Sequence, residues 1–184
     1  MIPTITQQLK TLKLRMEETI IPALPSDAAF AHEQANLMLA TLNWMLDTHE
    51  HQYRYEVVEN AEYRQLLTEL ASFPDTLQTD ISLKTTIEEI LSESGPEPTE
   101  AIIPLNNIID QNRRMKEITE EFYEQIRVHP NNKVANQAQT LLAKLAIRQA
   151  KLEVAFFRMT GFPKDAPELR AVLDEFANSK QKVI

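Results

Sequence analysis

The segment from Asp47 to Asn60, DTHEHQYRYEVVEN, brings together side chains that could do chemistry. It holds two histidines, two tyrosines, three glutamates and one arginine. Histidine and glutamate can exchange protons or bind metal ions, and tyrosine can donate a hydrogen bond to either. The segment lies inside a long helical pattern, where a soluble helix usually keeps its apolar residues on the core side. The chemistry available therefore depends on which of these side chains face inward.

The helical period sorts the segment into faces. At about 100° per residue, one face that is otherwise apolar receives four polar side chains: His49, Tyr53, Glu56 and Asn60. A second apolar face, largely across the helix, contains Phe30, Leu37, Trp44 and Tyr55. Glu50 and Arg54 fall between the two faces at a spacing of four, so we expect them to form a surface ion pair. A helix that is apolar on two sides is either central in its own bundle or covered by a second subunit.

A metal centre is the first hypothesis for this segment. Di-iron helical bundles use Glu-x-x-His motifs from two helices together with carboxylates from two others. None of the four histidines, His32, His49, His51 and His129, has a glutamate three residues before it. His49 and His51 are two positions apart and point to different sides of a helix, so they cannot chelate one ion. We therefore expect no metal site and no cofactor.

Acid–base catalysis is the second hypothesis. His49 and Glu56, two helical turns apart, would form a poised proton-transfer pair if they were buried. The chain, however, has no cysteine and only two glycines, Gly95 and Gly161. Phosphate-cradling loops require several glycines, and neither glycine flanks a serine at the spacing of a nucleophile elbow. Whether the protein is an enzyme stays open, and the sequence favours a non-catalytic protein.

A structural polar layer is the interpretation that we favour. An isolated buried carboxylate costs several kcal/mol unless it is paired, and Arg148 on a later helix is the best-placed cation for Glu56. The sequence therefore predicts a Glu56–Arg148 ion pair inside the bundle, beside a small pocket. The candidate ligand-binding residues are His49, Gln52, Tyr53, Glu56, Asn60 and Arg148. The alternative function is a bundle that binds a small ligand or metal ion at residues 49–60.

Helical periodicity extends over almost the whole chain. Pro22 and Pro25 end a first helix, and no proline or glycine then interrupts the pattern from Asp27 until Pro74. Four further helices are predicted at about residues 81–94, 104–128, 132–160 and 165–178. The predicted fold is all-α: a mostly antiparallel bundle of five or six helices with one unusually long helix.

The length of the second helix raises a geometric problem. About 45 residues at 1.5 Å each would span roughly 68 Å, whereas a compact domain of this size has a radius of gyration of about 16 Å. Either the bundle is elongated or the helix bends, and without proline or glycine a bend needs a π-bulge or an inserted polar group. We expect the bend at residues 47–60. The second apolar face of this helix also predicts a homo-oligomer.

Composition limits the classes of partner. The 184 residues predict a single helical domain, 1–184, with an internal hinge around 93–103 where Gly95, Pro96 and Pro98 cluster. The formal net charge of −8 argues against a nucleic-acid partner, because phosphate binders usually carry a basic surface. No apolar run approaches the ~18 residues of a membrane span. We therefore expect a cytoplasmic protein without a membrane partner.

Two stretches resemble a known family. The run IIPALPSDAAFAHEQANLMLATLNWML and the later IIDQNRRMKEITEEF are similar to a bacterial all-helical family of uncharacterised proteins. The resemblance lies mainly in the N-terminal 70 residues and carries no catalytic motif. Members are often encoded near phosphotransferase-like kinases and acyl-CoA dehydrogenases. The resemblance thus implies a protein partner encoded nearby, and with the residues above it predicts a non-catalytic helical accessory or protein-binding protein.

Overall fold

Every regular element in the described part of the chain is helical. The computed structural model describes residues 3–72, 81–96, 102–128, 132–160, 163 and 165–181. Its α-helices are α1 Ile5–Arg15, α2 Ile21–Ala23, α3 Ala29–Thr48, α4 Gln52–Ala71, α5 Ile81–Ser92, α6 Leu105–Arg127, α7 Asn132–Phe156 and α8 Leu169–Gln181. The all-α class is therefore confirmed. Within these ranges no helix is long and apolar enough to cross a membrane.

The first helix is capped at one end and distorted at the other. Thr4 and Gln7 form a capping box in which the Thr4 hydroxyl accepts from the Gln7 amide at 3.2 Å and the Gln7 side chain accepts from the Thr4 amide at 2.9 Å. After α1 the helix widens into a π turn, Met16–Ile20, closed by the Ile21 amide donating to the Met16 carbonyl. Pro22 explains the distortion, because it has no N–H to donate to the carbonyl four residues before it. The helical run ends at Ala23, close to the end that the prolines predict.

The second predicted helix is interrupted at His49–His51. Helix α3 ends at Thr48 and α4 begins at Gln52, so the continuous pattern is divided into two helices of 20 residues. Side chains bond to the last carbonyls of α3: the Thr48 hydroxyl donates to Trp44 O at 2.9 Å, and His49 Nδ1 lies 2.9 Å from Met45 O. Such bonds compete with the helical ladder and bend helices. The interruption lies within residues 47–60, where a bend was expected. Because of it, the structure has two long helices, α3 and α4, where the sequence predicted one.

The described chain forms two compact units. Unit 1 contains residues 1–52 and 153–172, and unit 2 contains residues 53–152 and 173–184. The predicted hinge at 93–103 lies inside unit 2, with residues 97–101 outside the described ranges. The prediction of a single domain stays a prediction.

The core of unit 2 is built from one face each of α5, α6 and α7 around two faces of α4. Its fully buried side chains include Leu67, Leu70, Ile87, Met115 and Phe122. On α4, residues on different sides of the helix are buried, with Tyr55 at 7 % exposure and Asn60 at 0 %. Helix α4 is therefore central in its own unit, which is the first of the two explanations for a helix with two apolar sides.

Three aromatic side chains form a partly exposed cluster in unit 1. The Trp44 ring stacks on Phe157 with centroids 6.0 Å apart and meets Phe156 edge-on at 5.7 Å. Trp44 Nε1 also donates to the Phe156 carbonyl at 3.0 Å. The second apolar face, with Phe30, Leu37, Trp44 and Tyr55, was the reason for predicting an oligomer. These four residues do not form one continuous exposed surface. Trp44 and Tyr55 pack inside their own units, whereas Phe30 and Leu37 are exposed.

Candidate functional site

The six residues predicted to line a site are divided between the two units. His49 and Gln52 belong to unit 1, and the other four, Tyr53, Glu56, Asn60 and Arg148, belong to unit 2. Gln52 is exposed. Within the described ranges, no group of three or more histidine, aspartate or glutamate side chains is placed to hold a metal ion.

His49 connects the end of α3 to α1. Its Nδ1 lies 2.9 Å from Met45 O, and its Nε2 lies 3.0 Å from the Thr6 hydroxyl. The same hydroxyl donates to Glu50 Oε1 at 2.9 Å. The predicted Glu50–Arg54 pair was wrong, because Arg54 instead binds Asp174 at 2.6 Å. Both ring nitrogens of His49 are thus engaged within unit 1.

Glu56 pairs with an asparagine, not with an arginine. Asn112 of α6 is almost fully buried, and its Nδ2 donates both to the Glu56 backbone oxygen and to Glu56 Oε2, each at 2.9 Å. One turn earlier, the Tyr53 hydroxyl donates to Ile103 O at 3.2 Å. These contacts tie the first turns of α4 to α6 and to the segment before it.

Arg148 binds a different glutamate from the predicted one. Its Nε and one terminal nitrogen donate to the two carboxylate oxygens of Glu62 at 2.5 and 2.9 Å, and its guanidinium carbon lies 4.5 Å from the Phe176 ring centroid. The predicted Glu56–Arg148 pair was therefore wrong. Glu56 and Glu62 are six residues apart, which turns them about 120° from each other around α4. One faces Asn112 of α6, and the other faces α7.

Asn60 faces the interior, as the helical period predicted, and anchors a wider network. Its Nδ2 donates to Gln111 Oε1 at 3.2 Å, and its Oδ1 accepts from Arg64 Nε at 2.8 Å. Gln111 in turn donates to Glu93 Oε2 at 3.2 Å, and Glu93 accepts two bonds from Arg114 at 2.5 and 2.7 Å. We call these five residues the Asn60 network. It joins α4, the residues that follow α5, and α6.

The electrostatics of the Asn60 network follow from its bonds. The hydrogen bonds from Arg114 hold the pKa of Glu93 below its ordinary value. Burial is the largest influence on Arg64 and lowers its pKa. Gly95 packs against the network, since a Cβ at that position would lie 2.9 Å from Arg64 Nε. A larger residue at position 95 would therefore have to displace a guanidinium that is held by hydrogen bonds.

Most of these partners could not be found in the sequence. No local motif marks the other four residues of the Asn60 network, Arg64, Glu93, Gln111 and Arg114. Some of their bonds join near neighbours, and others join positions up to 51 residues apart. The same holds for Asp47, whose partner Arg158 lies 111 positions later. Asp47 is largely buried and receives two bonds from Arg158, at 2.8 and 2.5 Å.

An apolar groove lies between α1 and α3 in unit 1. It has a volume of about 380 Å³ and is lined by Leu12, Arg15, Met16, Ile20, Met38, Thr41 and Leu42. Leu12, Met16 and Ile20 follow one another at steps of four residues, so they lie on one side of the first helical run. In the structure Met16 is buried, whereas Leu12 and Ile20 are about half exposed. The groove is therefore an incompletely covered helix face.

A row of exposed apolar side chains follows the adjoining side of α3. We define the α3 strip as Phe30, Leu37 and Met45, whose exposures are 74 %, 56 % and 42 %. Their spacings of seven and eight residues keep them on one side of the helix. The α3 strip contains no ionisable side chain.

Comparison with known proteins adds no relative from which a function could be transferred. No protein-family model, curated protein or solved structure matches the chain.

Proposed function

We propose that the protein is a non-catalytic helical binding protein that docks another polypeptide through the α3 strip. The observation that supports this proposal is the exposure of three large apolar side chains at regular helical spacing. Rows of this kind pack into the grooves of a facing helix, and a run of exposed apolar residues is typical of an interaction surface.

The partner that suits the α3 strip best is a second copy of the same chain. An apolar row without charges can pack on itself across a two-fold axis, because each copy presents the same surface. A charged strip would not allow this, since like charges would meet at the axis. The biological use that we propose for such a protein is an accessory role beside another enzyme, in line with the resemblance of its N-terminal region.

The polar segment supports a site less well than the α3 strip does. Glu56, Asn60 and Arg148 each make hydrogen bonds to other residues of unit 2, and His49 makes its contacts within unit 1. A ligand at residues 49–60 would have to replace those bonds. Binding of a small ligand or metal ion there remains the alternative function.

Light scattering of the purified chain at micromolar concentration tests the proposal. We expect twice the monomer mass for the parent and the monomer mass for Leu37→Glu, which places a charge in the strip. Ile147→Glu is the matched control, because Ile147 is an exposed apolar residue of unit 2 at 72 % exposure, and it should leave the mass unchanged. A monomeric parent, or equal loss of association in both variants, would contradict docking through the strip. Affinity capture with enzymes encoded beside the gene then tests the accessory role.

A further inference from the structure

The groove between α1 and α3 has the dimensions of a small-molecule site. Its volume of about 380 Å³ falls within the range of roughly 300–1,000 Å³ that is typical of ligand pockets. Two of its walls, Met16 and Ile20, lie on the π turn. Such turns are rare and occur frequently at functional sites. Here the turn widens the helix at the position where the groove opens.

The lining of the groove is apolar except at one point. Thr41 contributes a hydroxyl, but that group already donates to Leu37 O at 3.0 Å. Arg15 is the only ionisable lining residue. Among the described residues, no carboxylate forms an ion pair with Arg15, and the neighbouring Glu17 is bound to Lys13 at 3.8 Å. The surface of the groove is thus almost wholly apolar, and the one charge that its lining residues carry belongs to the exposed side chain of Arg15.

We propose that this groove binds an amphiphile that carries a single anionic headgroup. The alkyl chain lies between α1 and α3 against Leu12, Met38 and Leu42, and the headgroup accepts hydrogen bonds from Arg15. Removing the chain from water supplies the larger part of the affinity. Arg15 supplies the orientation, because a guanidinium donates two parallel bonds to a carboxylate, sulfate or phosphate.

The charge of the whole chain disfavours ligands with several negative charges. With a formal net charge of −8, the protein repels polyanions such as nucleic acids and polyphosphates. A ligand with one negative charge meets less of this repulsion and gains most from apolar burial. None of the three residues of the α3 strip lines the groove, although Thr41 lies between Leu37 and Met45 around α3. The inference goes beyond the proposed docking function and does not rest on it.

Titration calorimetry with sodium decanoate, kept below its micelle concentration, tests the inference on the full chain. We expect saturable binding of one decanoate per chain. Affinity should rise about two- to fourfold for each added CH₂ from octanoate upward, until the alkyl chain is longer than the groove. Decanol, which has the same chain without the charge, should bind more weakly.

Variants locate the site. Arg15→Gln should weaken decanoate binding about threefold or more, whereas Lys10→Gln, which removes another exposed cation from α1 outside the groove, should not. Met38→Glu places a carboxylate on the groove wall and should abolish binding. Ile147→Glu makes the same change at an exposed apolar position of unit 2 and should have no effect. Circular dichroism of each variant confirms that it is folded.

Methionine methyl NMR gives a second measure of location. On addition of decanoate, the Met16 and Met38 signals should shift, whereas that of Met115, fully buried in unit 2, should not. Non-saturable binding, equal affinity for decanoate and decanol, or an unchanged affinity in Met38→Glu would overturn the inference and indicate adventitious detergent-like binding only. Binding to phosphatidylglycerol vesicles without binding to free decanoate would also overturn it and would indicate a membrane-surface contact.

Discussion

Double-mutant cycles can distinguish the Arg148–Glu62 pair from the Arg148–Glu56 pair that the sequence predicted. Glu62 is 5 % exposed at its side chain, whereas Arg148 is 41 % exposed. Breaking a fully buried ion pair costs about 3–5 kcal/mol and breaking a surface pair about 0–1 kcal/mol. For this half-buried pair we expect Arg148→Met to cost about 3 kcal/mol, since it leaves the buried carboxylate without its cation. Glu62→Ala should cost about 2 kcal/mol, because the remaining guanidinium still reaches water and the Phe176 ring.

The coupling free energy is the decisive quantity. In urea unfolding followed by circular dichroism, the Glu62→Ala/Arg148→Met variant should lose about 1–2 kcal/mol less than the sum of the two single variants. The control cycle combines Glu56→Ala with Arg148→Met, and its effects should add to within about 0.5 kcal/mol because these residues are not paired. Coupling below 0.5 kcal/mol for the Glu62 cycle, or larger coupling for the Glu56 cycle, would refute the assignment.

Three further changes test the polar side chains of unit 2 and their contacts. Gly95→Ala should destabilise the protein by about 1–2 kcal/mol in urea unfolding, because the new methyl group would displace Arg64; unchanged stability would show that the guanidinium moves freely. Gln149→Met should stabilise the protein by about 1 kcal/mol in the same assay. Gln149 is 6 % exposed, and neither polar atom of its amide has a hydrogen-bond partner in the described part of the chain. A loss of stability would indicate that the amide has a partner in solution. Glu93→Gln should be less stable than the parent at pH 7. Because the pKa of Glu93 is lowered in the folded state, its contribution to stability is present above its ordinary pKa of 4.5 and is lost as the pH falls through the folded-state pKa. The free energies of unfolding of the parent and the variant should therefore converge in acid. A difference that does not change with pH would contradict the ion pair with Arg114.

The helical period predicted most of the fold but not the path of its second helix. Apolar spacing and the stops at Pro22 and Pro25 were sufficient to predict the first helix, and the same spacing gave the later helices to within a few residues. The interruption at His49–His51 has no proline or glycine to mark it. It depends on Thr48 and His49 bonding to the backbone of their own helix, and such bonds cannot be read from periodicity.

That interruption also limited what could be predicted about the candidate site. Asn60 was correctly placed inside, because its position follows from the spacing within α4 alone. The partner of Arg148 depends on which face of α4 is turned towards α7, and the two paired residues are 86 positions apart. The sequence analysis assigned the faces of α4 as if α3 and α4 were one continuous helix, and this assumption does not give the correct face. Assignment of buried pairs therefore needed the tertiary structure.

The contacts of Trp44 and Asp47 have a consequence for synthesis on the ribosome. Both residues lie in the first segment of unit 1, and their partners Phe156 and Arg158 emerge more than 110 residues later. Most of unit 2 is a continuous segment, residues 53–152, and can fold as it emerges. The nascent chain therefore carries an incomplete unit 1, with Trp44 uncovered and Asp47 without its arginine, until translation has passed position 158. A chain stopped at position 150 would retain the α3 strip and the groove residues but would lack Phe156 and Phe157, and so would expose Trp44 to chaperones and proteases.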